Sequence, residues 1–595
     1  MRTIHLLAIS ILISAALCTA ACNQAPPAQT YETFTELPDP SADTLSDWSG
    51  VSAGLHASFV TIDKRYPKSV KPEVTLKAKD TVVGWKGERV STQLLLWTTE
   101  EVSQVEINFS DFTSGDNTLP QSIAQARFVR YVMTDEFAEG CGYRKPADFA
   151  ASLSADMLDD LPHFDLEANK VRPVWVSIDI PRDAEAGIYH TTLQVSAADK
   201  DPQAFTLELE VINQELPASS DWTFHLDQWQ HPSAVARVEG LEVWSDAHFE
   251  AMEPVMKLLA DAGQKVITAT LNKDPWNVQT YDPYADMITW TQHEDGSWSY
   301  DYAVFDRWVQ FMMDLGVKKM INCYSIIPWN NEIHYRDEHS GELINVKAVP
   351  GTELFETLWR PFLIDFSSHL AEKGWLEITN IAMDERDAES MDAAFQLIHS
   401  VAPQLGVAFA DNHKTYQRYP NSMDISVSVQ HPFDPQDLID RKNRQLNTTF
   451  YICCADSFPN QFTFSDPAES TYLGWYAMAS GFDGLLRWAF NSWVERPLLD
   501  SRFRTWPAGD TYIVYPGGRS SIRYECMLAG IQDYEKINII RGRLHNEGNT
   551  AALSRLDQAI GKLKNIQRTA SWNMELNEAK QLLTDLSRMD KAAEQ

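Results

Sequence analysis

The sequence predicts an N-terminal β-sandwich, then a (β/α)8 barrel, then a short helical C-terminal tail. Three observations carry this reading. Short runs of alternating polar and apolar residues dominate 47–215; eight strand-like runs alternate with helix-like stretches over 221–545; helical periodicity with mixed charge fills 546–595. At 595 residues the chain has room for two or three domains with large cores.

The N-terminus sets the compartment. Arg2 runs into an apolar stretch over 6–17 and then into small residues that lead to Cys22, the pattern of a signal peptide over 1–21 and too short for a membrane span. The run LCTAAC at 17–22 resembles a bacterial lipoprotein cleavage box. That resemblance implies a lipid on Cys22 and an exported lipoprotein at the outer membrane, cell surface or periplasmic face, attached to the membrane through the lipid only. Plain secretion with cleavage near Ala20 or Ala21 is the alternative. Residues 22–46 are polar and carry Pro26, Pro27, Pro38 and Pro40, which suits a tether.

Within 47–215 the runs ERVSTQLLLWT (88–98), QVEINF (104–109), RPVWVSIDI (172–180), GIYHTTLQV (187–195) and FTLELEV (205–211) follow one another without long helices between them, which reads as a sandwich. The segment ELPASS (215–220) is a linker. The eight later strands are placed at 224–229, 265–271, 319–326, 379–383, 406–410, 424–429, 450–455 and 484–490. Long loops, one of them rich in Trp, follow the second and third. Helices are expected over 249–261, 302–315, 358–373, 391–401, 468–480 and 521–541. Eight parallel units close a barrel, with an open doubly wound sheet as the alternative.

A formal net charge of −33 argues against nucleic acid or an anionic membrane face as a partner, because both need basic patches. Five cysteines remain after the N-terminal two: Cys141, Cys323, Cys453, Cys454 and Cys526. Their odd number and wide spacing fit neither a disulfide framework nor a zinc site, and Cys323, Cys453 and Cys454 read as buried thiols.

In a closed parallel barrel, chemistry sits where strands end and βα loops begin. Asp384 and Glu385 follow the fourth strand directly, although Asp387 and Glu389 lie so close that spacing alone does not identify the acting pair. Successive strand residues face opposite ways, so both acids meet one ligand only if the pleat breaks there. Other strand ends offer His225, Asp227 and Trp229; Tyr324; Asn412 and His413; Gln430 and His431; Asp456; and Trp488, Asn491 and Trp493. Such hydrogen-bonding groups and indoles suit a neutral ligand rich in hydroxyls. The sequence contains no GxSxG, HExxH or P-loop, its histidines lack paired metal-ligand spacing, and its glycines are too scattered to cradle a dinucleotide. Neither a cofactor nor a metal is expected, and carboxylate-only hydrolysis remains.

The segments GERVSTQLLLW (87–97), FHLDQWQHP (224–232), IAMDE (381–385), GWYAMASGFDGLLRWAFNSW (474–493), GDTYIVYPG (509–517) and IRYECMLAGIQDYE (522–535) together resemble glycoside hydrolase family 123. The Asp-Glu pair alone would not discriminate, since family 20 hexosaminidases also place one after the fourth strand. The resemblance implies retaining exo-hydrolysis of a terminal β-linked N-acetylgalactosamine, with the sugar's own acetamido oxygen as nucleophile. Glu385 would then be the acid and base, while Asp384 would stay ionised and orient the acetamide. Tyr324 or Tyr416 would hold the acetamide oxygen, Trp488 would stack on the sugar, Trp229 would contact it, and Asp227, Asn412 and Asn491 would bind hydroxyls. The same mechanism on N-acetylglucosamine and a non-catalytic glycan-binding lipoprotein are the competing functions.

Overall fold

The structure, a computed structural model, describes residues 34–589 except 42–45, 139–140, 143 and 432. The expected signal peptide and Cys22 lie outside the described residues. From Glu36 onward the chain is one compact unit.

That unit begins inside the stretch read as a tether. Glu36 is buried against Arg172, which grips both carboxylate oxygens at 2.6 and 3.0 Å, and against Lys68 at 2.8 Å. Burial alone would raise its pKa, but these cations outweigh it and hold the carboxyl well below the usual range. Composition cannot show such an anchor, because it is one acid meeting cations that lie 32 and 136 residues further on.

The sandwich has two sheets. The first orders Leu55–Val60, Arg89–Thr98, Lys170–Asp179, Ala124–Thr134 and Ser152–Asp159; the second orders Lys79–Lys86, Lys200–Glu215, Gly187–Ala197, Val102–Phe109 and Phe164–Leu166. Leu94, Leu96, Val174 and Val176 of the first meet Leu193, Val195, Leu207 and Leu209 of the second in a shared core. The first sheet is covered on its other face too. Leu95 and Trp97 lie under the 48–74 segment, and Val129, Tyr131 and Trp175 pack on Ile522 and Cys526 of the helix Ile522–Asn546. Two-sided burial explains why the LLLW run breaks simple alternation.

The barrel strands are β1 (His225–Gln228), β2 (Val266–Thr270), β3 (Met320–Tyr324), β4 (Thr379–Met383), β5 (Gly406–Asp411), β6 (Asp424–Ser428), β7 (Asn447–Tyr451) and β8 (Gly484–Arg487). They pair in parallel from β2 through to β8 and on to β1. Gly484 is required where β8 meets β1, since a Cβ there would stand 2.1 Å from the carbonyl oxygen of His225. The seam between β1 and β2 has only the single bridge Leu226–Gln264. Two glutamine side chains complete it. Gln264 accepts from the amide of Gln228 at 3.0 Å and donates to the carbonyl of Val266 at 2.7 Å, while Gln230 accepts from the amide of Thr268 at 2.8 Å. They satisfy the backbone groups that a ladder would otherwise pair.

Three elements differ from expectation. The seventh strand lies at 447–451 rather than 450–455, because Asn447-Thr448-Thr449 form its start and Cys453-Cys454 turn out of it. The two long loops carry a four-stranded sheet of Trp298–Asp301, Thr289–Gln292, Glu332–Asp337 and Leu343–Lys347. Cys141 and Cys454 form a disulfide, while Cys323 and Cys526 are buried thiols and Cys453 is half-buried. The bonded cysteines are 313 residues apart, which is why spacing did not reveal the bond. The tail helices Thr550–Lys562 and Asn573–Arg588 pack with the helices Pro467–Ser480 and Ile522–Asn546.

Candidate active site

β4 ends at Met383, so Asp384 and Glu385 stand just beyond the strand, where the pleat no longer sends neighbours to opposite faces. The amide of Glu385 donates to Oδ1 of Asp384 at 2.9 Å, which tightens this turn. Both side chains line a cavity of about 340 Å³, within the range of small-molecule sites. The neighbouring acids have other positions. Asp387 caps the helix Ala388–Val401 by accepting from the amide of Ser390 at 2.9 Å, which lowers its pKa, and Glu389 is exposed.

The two carboxylates are set differently. Burial and then the charge of Asp384 raise Glu385 to about 7, against the pull of a hydrogen bond donated by Tyr451. Burial also raises Asp384, but the indole N–H of Trp329 donates to its Oδ2 at 2.9 Å, and that bond, the Glu385 amide and Arg386 all favour its ionised form. Arg386 fixes the indole by donating to the carbonyl of Trp329 at 3.0 Å and to Asn331 at 2.9 Å. Two other acids bear on Glu385, and both are occupied. Asp411 accepts from the amides of His413 and Tyr416 at 2.7 and 3.3 Å; Asp456 accepts from the amide of Cys453 and from Gln430, each at 2.7 Å.

Of the expected ligand contacts, Trp229 and Trp488 line the cavity with the acids. The other five lie outside its lining. Asp227 is 1% exposed inside the barrel, where burial and the charge of Asp424 hold its carboxyl well above the usual range. Tyr324 is equally buried, packed between Trp229 and Trp276 at centroid distances of 4.7 and 5.0 Å. The hydroxyl of Tyr416 accepts from the amide of Asp434 at 3.3 Å, and its ring stacks on Phe433. Asn491 is a clamp, accepting from the amide of His231 at 2.9 Å and donating to its carbonyl at 3.1 Å. Asn412 follows β5 and is also absent from the lining.

Their places in the cavity are taken by Tyr451, Trp329, Trp506, Gln279 and the Cys141–Cys454 disulfide. Tyr451 was within reach of sequence reasoning, since it ends β7; the displaced strand hid it mid-strand. Trp329, Gln279 and Trp506 sit on long connections that periodicity does not resolve. Trp506 is held by its indole N–H donating to the carbonyl of Gln279 at 2.9 Å and meets Trp488 edge-on at 5.8 Å.

A parallel barrel with an aromatic cavity and two adjacent carboxyls, both raised by burial and one of them held by donors that favour its charge, suits the hydrolysis of a glycoside. The family model described as glycoside hydrolase 123, catalytic domain, matches residues 229–540, and the one described as glycoside hydrolase 123 N-terminal domain matches 59–197. The chain belongs to glycoside hydrolase family 123. It is similar to a solved family 123 glycoside hydrolase from Clostridium perfringens, studied for glycolipid glycan hydrolysis, with 27% identity, a TM-score of 0.81, and coverage of 89% of this chain and 97% of that one. A Bacteroides ovatus GH5 xyloglucanase aligns at 7% identity and a TM-score of 0.29, covering 80% of this chain and 100% of its own. No curated protein sequence matches the chain.

Proposed function

We propose that this glycosidase removes terminal β-linked N-acetylgalactosamine with retention, using the substrate's 2-acetamido oxygen as nucleophile. The observation that carries the reading is a pair of adjacent carboxyls with different partners: burial and the charge of Asp384 raise Glu385 to about 7, while Asp384, also raised by burial, accepts from the Trp329 indole and the Glu385 amide, which favour its charge. An ordinary retaining pair would need a second free carboxylate about 5 Å across the sugar from the acid. Asp384 is instead the chain neighbour of Glu385 at the end of the same strand, and Asp411 and Asp456, which also bear on Glu385, accept from backbone amides that fix their place. The adjacency of the pair and membership of family 123 support assigning the nucleophile to the substrate.

In the first step Glu385 protonates the departing glycosidic oxygen as the acetamido oxygen closes on the anomeric carbon. Asp384 accepts the acetamido N–H and stabilises the positive charge of the ring that forms. Glu385, now a carboxylate, takes a proton from water, which opens the ring with net retention. Holding the acetamide in place makes the attack intramolecular, an advantage of roughly 7–11 kcal/mol in favourable cases. Tyr451 takes the place first given to Tyr324 or Tyr416 as the aromatic hydroxyl beside the reacting centre, and Trp488 stays the stacking platform.

The galacto preference is what the resemblance to family 123 implies, and the Clostridium perfringens relative supports glycolipid glycans as the substrate class. Comparing an aryl β-N-acetylgalactosaminide with its gluco epimer tests it, and a thiazoline analogue should inhibit competitively. Faster cleavage of the gluco epimer would establish the alternative substrate. Binding of the sugar without release of the aryl alcohol from either would establish a non-catalytic glycan binder. Export and lipidation at Cys22 complete the proposal, supported by the N-terminal sequence alone; mass spectrometry of the protein from membrane fractions would detect the lipid.

A further inference from the structure

The cavity is not built by the barrel alone. Cys141 comes from the sandwich, on the connection between its strands Ala124–Thr134 and Ser152–Asp159, and it lines the catalytic cavity bonded to Cys454 of the segment after β7. The same strand end grips the barrel in two more ways. Met133 and Ser501 are linked by a backbone hydrogen bond of 2.9 Å, and the amide of Ala508 donates to Asp135 at 3.0 Å. Asp135 is in turn held by Arg144 at 3.0 Å.

The disulfide lies on a particular flank. The side chains that bear on Asp384 include Trp276, Trp329 and Arg386, which follow β2, β3 and β4. Those that bear on Glu385 are Tyr451, Asp411 and Asp456 from β7, β5 and the segment after β7, and Glu385 in turn bears on Cys453. Cys454 is next to Cys453, so the disulfide stands on the Glu385 side. A general acid must sit beside the oxygen it protonates. That side is therefore where the leaving group lies.

We propose that the Cys141–Cys454 disulfide walls a leaving-group subsite, through which the sandwich takes part in choosing the neutral sugar to which the terminal residue is attached. The proposal rests on the glycosidase reading above. Two apolar sulfurs set against the cavity suit the C–H face of a pyranose, which must be held against Glu385 to be protonated, whereas an activated aryl alcohol departs with little need of such placement.

The test measures kcat and KM of the wild type and of a Cys141→Ala/Cys454→Ala double variant on two substrates: an aryl β-N-acetylgalactosaminide, and a disaccharide with the same sugar β-linked to galactose. Wild type treated with a phosphine reductant under native conditions provides a second comparison that needs no substitution, and thermal unfolding of each form checks that it is folded. The expected result is that kcat/KM falls about tenfold more on the disaccharide than on the aryl glycoside, through KM, as loss of ground-state binding requires. Equal losses on both substrates, or no loss on either by substitution and reduction alike, would overturn the subsite while leaving the activity intact. A wild type that cleaves neither substrate would overturn the function, and the subsite with it.

Discussion

Tyr451, at the end of β7, donates its hydroxyl to Oε1 of Glu385, two residues past the end of β4. The bond favours the carboxylate, and without it burial and the charge of Asp384 would carry Glu385 above about 7. A general acid must hold its proton, so kcat/KM on a natural linkage should fall as pH rises through about 7. Tyr451→Phe removes the donor and should move this limb upward by about one to two pH units, the worth of one hydrogen bond to a charged group. A pH–rate profile reads the shift; a limb that stays put or moves down would contradict the role of Tyr451.

The opposite limb belongs to Asp384, which must be ionised to take the acetamido N–H. Trp329→Phe removes an indole donor at 2.9 Å, so the Asp384 pKa should climb further and activity should fail at a higher pH on the acid side. At neutral pH the loss in kcat/KM should be roughly 10- to 100-fold, as for one charge-assisted bond. Arg386→Lys should act in the same direction with a smaller effect, since one ammonium cannot reach both the Trp329 carbonyl and Asn331. A Trp329→Phe enzyme with an unmoved acid limb would show that the indole does not tune Asp384.

The division of labour can be separated by leaving group. Asp384→Asn and Glu385→Gln should each cost about 10²–10⁴ on a natural linkage. With a very good leaving group no proton is needed at the first step, so the Glu385→Gln loss should shrink while the Asp384→Asn loss persists. An equal Glu385→Gln loss on both substrates would overturn its role as acid, and a sugar trapped covalently on either carboxylate would rule out the substrate-assisted route.

How much of this was legible follows from what periodicity measures. It records which faces are buried, so β4, β5 and β6 were located to within a residue, and the acids at the end of β4 were found with them. It does not record side-chain partners. Asn491 and Tyr416 look like free polar groups near strand ends, yet each is engaged with backbone hydrogen-bonding groups. Nor does it reach across the chain: the disulfide spans 313 residues, and Trp329, Gln279 and Trp506 arrive at the cavity on connections without a repeating pattern. β7 shows a third limit. Its polar start, Asn447-Thr448-Thr449, lies in the barrel wall, where an apolar run was expected, and the error concealed Tyr451.

Asp227 gives the sharpest contrast between the two readings. At a strand end it resembled a hydroxyl binder, but it is 1% exposed inside the barrel, and burial with the charge of Asp424 raises its pKa well above the ordinary value. A carboxyl whose folded pKa is raised stabilises the fold fully only below its unfolded pKa, about 4, and that contribution is lost as pH rises towards the folded value. Each pH unit in that window costs about 1.4 kcal/mol, because the native state must keep a proton that the unfolded chain releases. Asp227→Asn is neutral and nearly isosteric. It should therefore raise the unfolding temperature at pH 7 and leave it almost unchanged below pH 4, where Asp227 is protonated in both states. Unfolding curves at the two pH values decide the matter. Lost activity without a gain in stability at pH 7 would return Asp227 to the sugar site.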